Sequence, residues 1–181
     1  MSTPRVLAVA YGGGHIAMLL PVLDVLRRRR PELDVQLLAL TTARRAAQAA
    51  GWEPLGYQDL LRWLEPAERE HALELGRPLL AGNSHPDVAE DETLAYLGVN
   101  AWELHRRLGA RAAAQLLAER GRQAFAPRDF LEQVLRGLRP QLVVTTNSPR
   151  SEQAALEAAR ALDIPSLAVL DLFAQPGDPF A

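Results

Sequence analysis

The sequence predicts an α/β fold, a doubly wound parallel sheet with helices on both faces and a helical insertion between the third and fourth strands. Three observations lead there. Four short runs, "RVLAVAY", "DVQLLAL", "QLVVTTN" and "SLAVLD", are apolar nearly throughout instead of alternating, as strands covered on both faces are. Strand, helix, strand recurs at both ends of the chain. Between those ends, residues 58 to about 139 hold helical repeats and no convincing strand.

The elements follow in order. After "RVLAVAY" come Ile16, Leu19, Leu20, Leu23 and Leu26, spaced by three and four as the buried stripe of a helix is. Pro21 lies inside that stripe and cannot donate to the carbonyl of Ala17, so the helix either kinks or begins near Leu20. Arg27 to Arg30 close it, cations that complement the dipole at a helix C-terminus. "DVQLLAL" is the second strand, and a weaker third is expected near Trp52 to Leu55. In the insertion, Leu94, Leu97, Ala101, Leu104 and Leu108 form one helical stripe and Leu131, Val134, Leu135 and Leu138 another. "QLVVTTN" leads through Ser148 and Pro149, an N-cap and first-turn pair, into a helix that Pro165 ends before "SLAVLD". The expectation is one domain over 1–171 and a linker-like tail at 172–181, where prolines and a glycine cluster.

Composition removes several function classes. A chain of 181 residues can bury one good core but not two full-sized domains. A net charge of −2 leaves no basic excess for a nucleic-acid backbone. Without cysteine there are no disulfides or thiolate metal sites, and His71, His85 and His105 lack the spacing and acidic company of a metal site. No window approaches the roughly 18 to 20 apolar residues of a membrane span, and the N-terminus lacks a secretory apolar region. The expected location is therefore cytoplasmic, with a membrane-peripheral position left open. No G-x-S-x-G elbow supplies a hydrolase nucleophile.

In a doubly wound sheet, ligands sit beyond the carboxyl ends of the strands. Gly12, Gly13, Gly14 and His15 stand there, after the first strand. A loop without Cβ atoms can bring its amides close to a ligand at a helix N-terminus, an arrangement suited to phosphate. His15, in the first helical turn, is disfavoured as imidazolium by the dipole; the neutral ring can act as a base or hydrogen-bond a phosphate. At the end of "QLVVTTN", Asn147, Ser148 and Arg150 open on the same edge and can meet a sugar or phosphate, with Glu152 and Asp171 weaker candidates.

A dinucleotide is the competing ligand. Gly12, Gly14 and Ala17 satisfy G-x-G-x-x-A, but the second strand ends in Thr41, Thr42, Arg44 and Arg45 without the acid that reads an NAD ribose. NADP stays open because those arginines can hold a 2′-phosphate.

The segments "AYGGGHIAMLLPVLDVL" and "LRPQLVVTTNSPRSEQAALEAARALDIPSLAVLD" resemble the Rossmann-like N-terminal domain of B-fold glycosyltransferases and the related UDP-N-acetylglucosamine 2-epimerases. The likeness covers the two ends of the chain, roughly half of it, and not the helical middle. It implies the acceptor-side half of an enzyme that transfers a sugar from a nucleotide diphosphate sugar to a carbohydrate or lipid-linked hydroxyl acceptor. It also implies that Gly12 to Gly14 face the donor phosphates, that His15 assists as base, and that no cofactor beyond the nucleotide-sugar substrate is needed. A second Rossmann-like domain, in cis or in trans, would hold most of the nucleotide. The spacing of six from His15 to Pro21 is that of the epimerases, whereas G-H-x-x-P glycosyltransferases use three. Where the epimerases place catalytic carboxylates, this chain has Asn147 and Ser148, then Leu170 and Asp171. A non-catalytic half-domain that binds a polysaccharide intermediate or a partner enzyme is the alternative outside enzymology.

Overall fold

The computed structural model describes residues 3–83, 85–147 and 149–170. Its four strands are parallel and ordered β2-β1-β3-β4: β1 (Arg5–Ala10), β2 (Asp34–Ala39), β3 (Leu142–Thr145) and β4 (Ser166–Ala168). Val9 of β1 stands level with Leu38 of β2 and Thr145 of β3, which sets the register at the centre of the sheet. Successive strand residues face opposite sides, so β1 feeds two cores. Leu7 and Val9 join Leu38 and Val143 on one face, while Val6, Ala8 and Ala10 join Leu37, Ala39 and Val144 on the other. Both faces of β1 are buried, and its apolar run is continuous for that reason.

Helices α1 (Gly13–Arg29) and α2 (Ala43–Ala49) cover the second face through Ile16, Leu19, Leu23, Ala43 and Ala47. Helix α1 starts at Gly13 and runs through Pro21. Ala17 and Pro21 are both exposed, so water can meet the carbonyl that the proline leaves without a donor. The other face is covered by helices from α3 (Tyr57–Leu60), α5 (Glu90–Leu108), α7 (Arg128–Leu138) and α8 (Ser151–Ala161); α4 (Pro66–Gly76) and α6 (Ala110–Arg120) pack on α5. Among the described residues, no helix is long and apolar enough to cross a membrane.

Three expectations need correction. The third strand near Trp52 to Leu55 is a single bridge: Leu55 N donates to Leu37 O at 2.9 Å and Leu55 O accepts from Ala39 N at 3.0 Å. Pro54 has no N–H to extend the pairing. The helices expected after three strands therefore follow β2 and precede β3. Helix α8 begins at Ser151 with Arg150 at its N-cap, later than a Ser148 cap implies; Ser148 itself lies outside the described residues. The third correction concerns α5, which is buried nearly all round from Glu92 to Leu104 instead of along one stripe.

The polar residues of α5 explain its burial. Glu92 accepts hydrogen bonds from the Tyr57 and Gln58 amides at 2.7 and 2.9 Å, and Glu103 accepts from those of Asp129 and Phe130 at 3.0 Å each. Each carboxyl thus satisfies amides at the start of a neighbouring helix. Burial raises both above the usual carboxyl range, against the opposing pull of those amides.

Helices α4 and α5 cross at glycines. A Cβ on Gly98 would lie 2.4 Å from the Ala72 carbonyl oxygen, and one on Gly76 would lie 2.9 Å from the Gly98 Cα. Backbone cannot swing aside as a side-chain tip can. Gly98→Ala is therefore expected to destabilise the protein by about 1–3 kcal/mol in urea unfolding. In a helix interior free of this crossing, the same change stabilises by about 1 kcal/mol, so the sign checks the contact.

Candidate functional site

The chain passes from β1 to β2 on one side and from β2 across β1 to β3 on the other, so the strand order reverses between β1 and β3. A ligand crevice opens beyond the carboxyl ends of the strands at such a reversal. Tyr11 to His15 leave β1 there, and Thr146 and Asn147 leave β3 beside them, with Arg150 ahead of α8. The two predicted loops are brought to one place.

The three glycines differ in why they are glycine. Gly12 has φ +133°, a conformation that side chains rarely adopt, and a Cβ there would lie 3.8 Å from the His15 ring. Gly13 and Gly14 are exposed, have no positive φ, and a Cβ on either meets nothing within 4 Å. Neither the fold's conformation nor its packing requires glycine at 13 or 14. Part of the loop is already engaged, since Gly13 N donates to Thr42 Oγ1 at 3.2 Å and Tyr11 N donates to Glu152 Oε1 at 2.7 Å. The rest of the helix start has no side-chain cap.

His15 is half-buried beneath this loop, with Nδ1 2.7 Å from Thr146 Oγ1. Thr146 Oγ1 lies 2.6 Å from Glu152 Oε2, which also accepts from Thr146 N at 2.9 Å. Glu152 is fully buried in the first turn of α8, where the dipole favours an anion. Its carboxylate ties the end of β1 to the end of β3 and closes the floor of the crevice. Its Oε1 stands 3.9 Å from His15 Nδ1.

Arg150 has its guanidinium 4.8 Å from the centre of the Tyr11 ring, and Asn147 is half-buried at the exit of β3. Ser148 and Asp171 lie outside the described residues. Four described non-glycine residues have positive φ: Thr41, Arg139, Arg150 and Asp163. Arg139 and Asp163 follow helix ends, where the left-handed conformation is ordinary. Thr41 and Arg150 instead leave β2 and β3 at the site edge. Strain of this kind costs about 1–3 kcal/mol and gathers where a site needs it.

The middle helices wall the crevice on its β2 side. Tyr11 Oη donates to Tyr96 Oη of α5 at 3.0 Å, and the Tyr96 ring packs on Tyr57. Burial pushes both the Tyr57 and Tyr96 hydroxyls far above their ordinary range, so they serve as protonated hydrogen-bonding groups. Against this wall lies a cavity of about 120 Å³ lined by Tyr11, Thr41, Thr42, Tyr96 and Arg122 among others. That is close to the ~150 Å³ of a cavity that admits one six-membered ring. The arginines considered for a 2′-phosphate are occupied: Arg44 pairs with Asp59 at 2.8 Å and lies 3.7 Å from Glu92, and Arg45 pairs with Asp87.

The sequence reading named Glu152 only as a weak candidate and did not name Thr146, Tyr96 or Arg122. The offset between Thr146 and Glu152 carries no helical or strand period because the chain turns between them. Tyr96 of α5 and Arg122, just after α6, line one cavity with Tyr11, a meeting that only the tertiary structure decides. Comparison with known proteins returned no matching family model, no similar curated protein and no similar solved structure.

Proposed function

We propose that this chain is the acceptor-side, Rossmann-like half of a nucleotide-sugar-dependent glycosyltransferase, moving a sugar from a nucleotide diphosphate sugar to a hydroxyl acceptor. Gly13 and Gly14 carry the reading. Glycine in a helix costs roughly 1 kcal/mol relative to alanine, and here nothing inside the chain requires it. A bare backbone at an exposed helix start, where Thr42 engages the Gly13 amide and Gly12 supplies no side-chain cap, suits the close approach of an anionic group from outside. The donor phosphates are that group, His15 takes the acceptor proton or bonds a phosphate, and Asn147 and Arg150 frame the opposite lip. The ring-sized cavity against Tyr11 and Tyr96 is the place for the acceptor ring, which a carbohydrate or the sugar of a lipid-linked acceptor would supply.

Two observations favour this over its rivals. Arg44 is held by Asp59 with Glu92 3.7 Å away, which engages one of the two candidate readers of a 2′-phosphate. The carboxylate at the floor of the crevice, Glu152, is buried and accepts from the Tyr11 amide, the Thr146 amide and the Thr146 hydroxyl, so it is poorly placed to exchange protons with a substrate as an epimerase needs. A second Rossmann-like domain, in cis or in trans, would complete the donor site.

Two-dimensional NMR of the chain tests the reading even if binding is weak. Titration with UDP and with UDP-N-acetylglucosamine is expected to shift the Gly13, Gly14 and His15 amides at millimolar ligand. Gly13→Ala and Gly14→Ala are expected to raise stability by up to about 1 kcal/mol each in urea unfolding while weakening that response. Unmoved amides, with and without an added second domain, would overturn the proposal.

A further inference from the structure

We infer that Thr146 and Glu152 are positioning residues that hold His15 in its Nδ1–H tautomer, leaving Nε2 as the unprotonated nitrogen. The inference follows from counting protons. Glu152 accepts the Tyr11 amide on Oε1 at 2.7 Å and the Thr146 amide on Oε2 at 2.9 Å, so both oxygens act as acceptors. Thr146 Oγ1 is 2.6 Å from Oε2 and 2.7 Å from His15 Nδ1. A hydroxyl has one proton to give and lone pairs to receive. With that proton given to the carboxylate, Oγ1 can only accept from His15, and the hydrogen between them belongs to Nδ1. In a neutral imidazole Nε2 then carries the lone pair.

The tautomer selects between the two roles open to His15. A phosphate offers no proton to a bare nitrogen, whereas an acceptor hydroxyl does. Resting on the transferase reading, the inference makes His15 the base for the acceptor and leaves the phosphates to the loop amides. In the step it serves, the acceptor oxygen forms its bond to the sugar C1 as the bond from C1 to the phosphate oxygen breaks. The bonding electrons leave with the nucleoside diphosphate, and the hydroxyl proton passes to Nε2 and later to solvent. The imidazolium formed keeps its Nδ1–H on Thr146, and the buried carboxylate 3.9 Å away offsets its charge.

The tautomer can be read without substrate. In long-range ¹⁵N–¹H spectra of the chain recorded in alkaline solution, His15 is expected to show a protonated Nδ1 and a bare Nε2. Thr146→Val removes the hydroxyl at nearly constant shape and is expected to shift the ring to a majority Nε2–H form. Thr146→Ser keeps a hydroxyl and is expected to restore the Nδ1–H form. A majority Nε2–H ring in the unmodified protein overturns the inference, whether or not the valine variant folds. An unchanged tautomer in folded Thr146→Val overturns it too. Either failure leaves nucleotide binding at the loop untouched, while unmoved Gly13 and Gly14 amides in the titration would sink the transferase reading and leave the tautomer standing.

Discussion

Glu152→Ala is expected to remove roughly 3–6 kcal/mol of stability in urea unfolding. The side chain is fully buried and accepts from the amides of Tyr11 and Thr146 and from the Thr146 hydroxyl. Truncation strands the Tyr11 and Thr146 amides where water has little access and takes an acceptor from the Thr146 hydroxyl, and each orphaned buried donor costs about 1–3 kcal/mol. For a domain of this size the whole margin is about 5–15 kcal/mol, so the variant sits near the limit of folding. Glu152→Gln separates shape from chemistry. Its amide nitrogen must replace one carboxylate oxygen and face a donor, so a smaller loss is expected, about 1–3 kcal/mol. If alanine costs under 1 kcal/mol, the ends of β1 and β3 are held by something other than this carboxylate.

His15→Ala is expected to lower turnover by about 10² to 10⁴ in the assembled transferase, with the affinity for donor little changed. The imidazole contributes no buried apolar packing comparable to Ile16 or Leu19 and is only half-buried, so the fold should tolerate the loss. The rate of nucleoside diphosphate release, measured with donor and acceptor both present, reports the effect. A loss below about threefold would assign His15 a structural role beside Gly12. Because Thr146 and Glu152 act through His15, adding Thr146→Val to His15→Ala should lower turnover little further.

The local pattern carried much of the fold. Strands β1 to β4 stand where apolar runs placed them; for β1 the cause is that a strand covered on both faces must be apolar nearly throughout, whereas β4 lies at the sheet edge with Leu167 exposed. The stripe of Ile16, Leu19 and Leu23 and that of Leu131, Val134, Leu135 and Leu138 are buried, since one packed helix face imposes its period on the residues. Where a helix packs on every side the period disappears, and α5 shows this: its buried Glu92 and Glu103 accept from amides at the starts of other helices. The strand near Trp52 failed for a local reason, the missing amide of Pro54, that apolar content alone does not reveal.

By itself the sequence determined that glycines and a histidine follow the first strand and that a polar segment follows the strand of Leu142 to Thr145. Sheet order decided the rest. Parallel strands joined by helices can be neighbours in several arrangements, and only the pairing of β1 with β3 sets Glu152 against Tyr11 and Thr146 against His15. Those contacts span 141 and 131 positions along the chain. No local periodicity reaches that far, because what brings the groups together is the burial of two sheet faces and not the conformation of either loop.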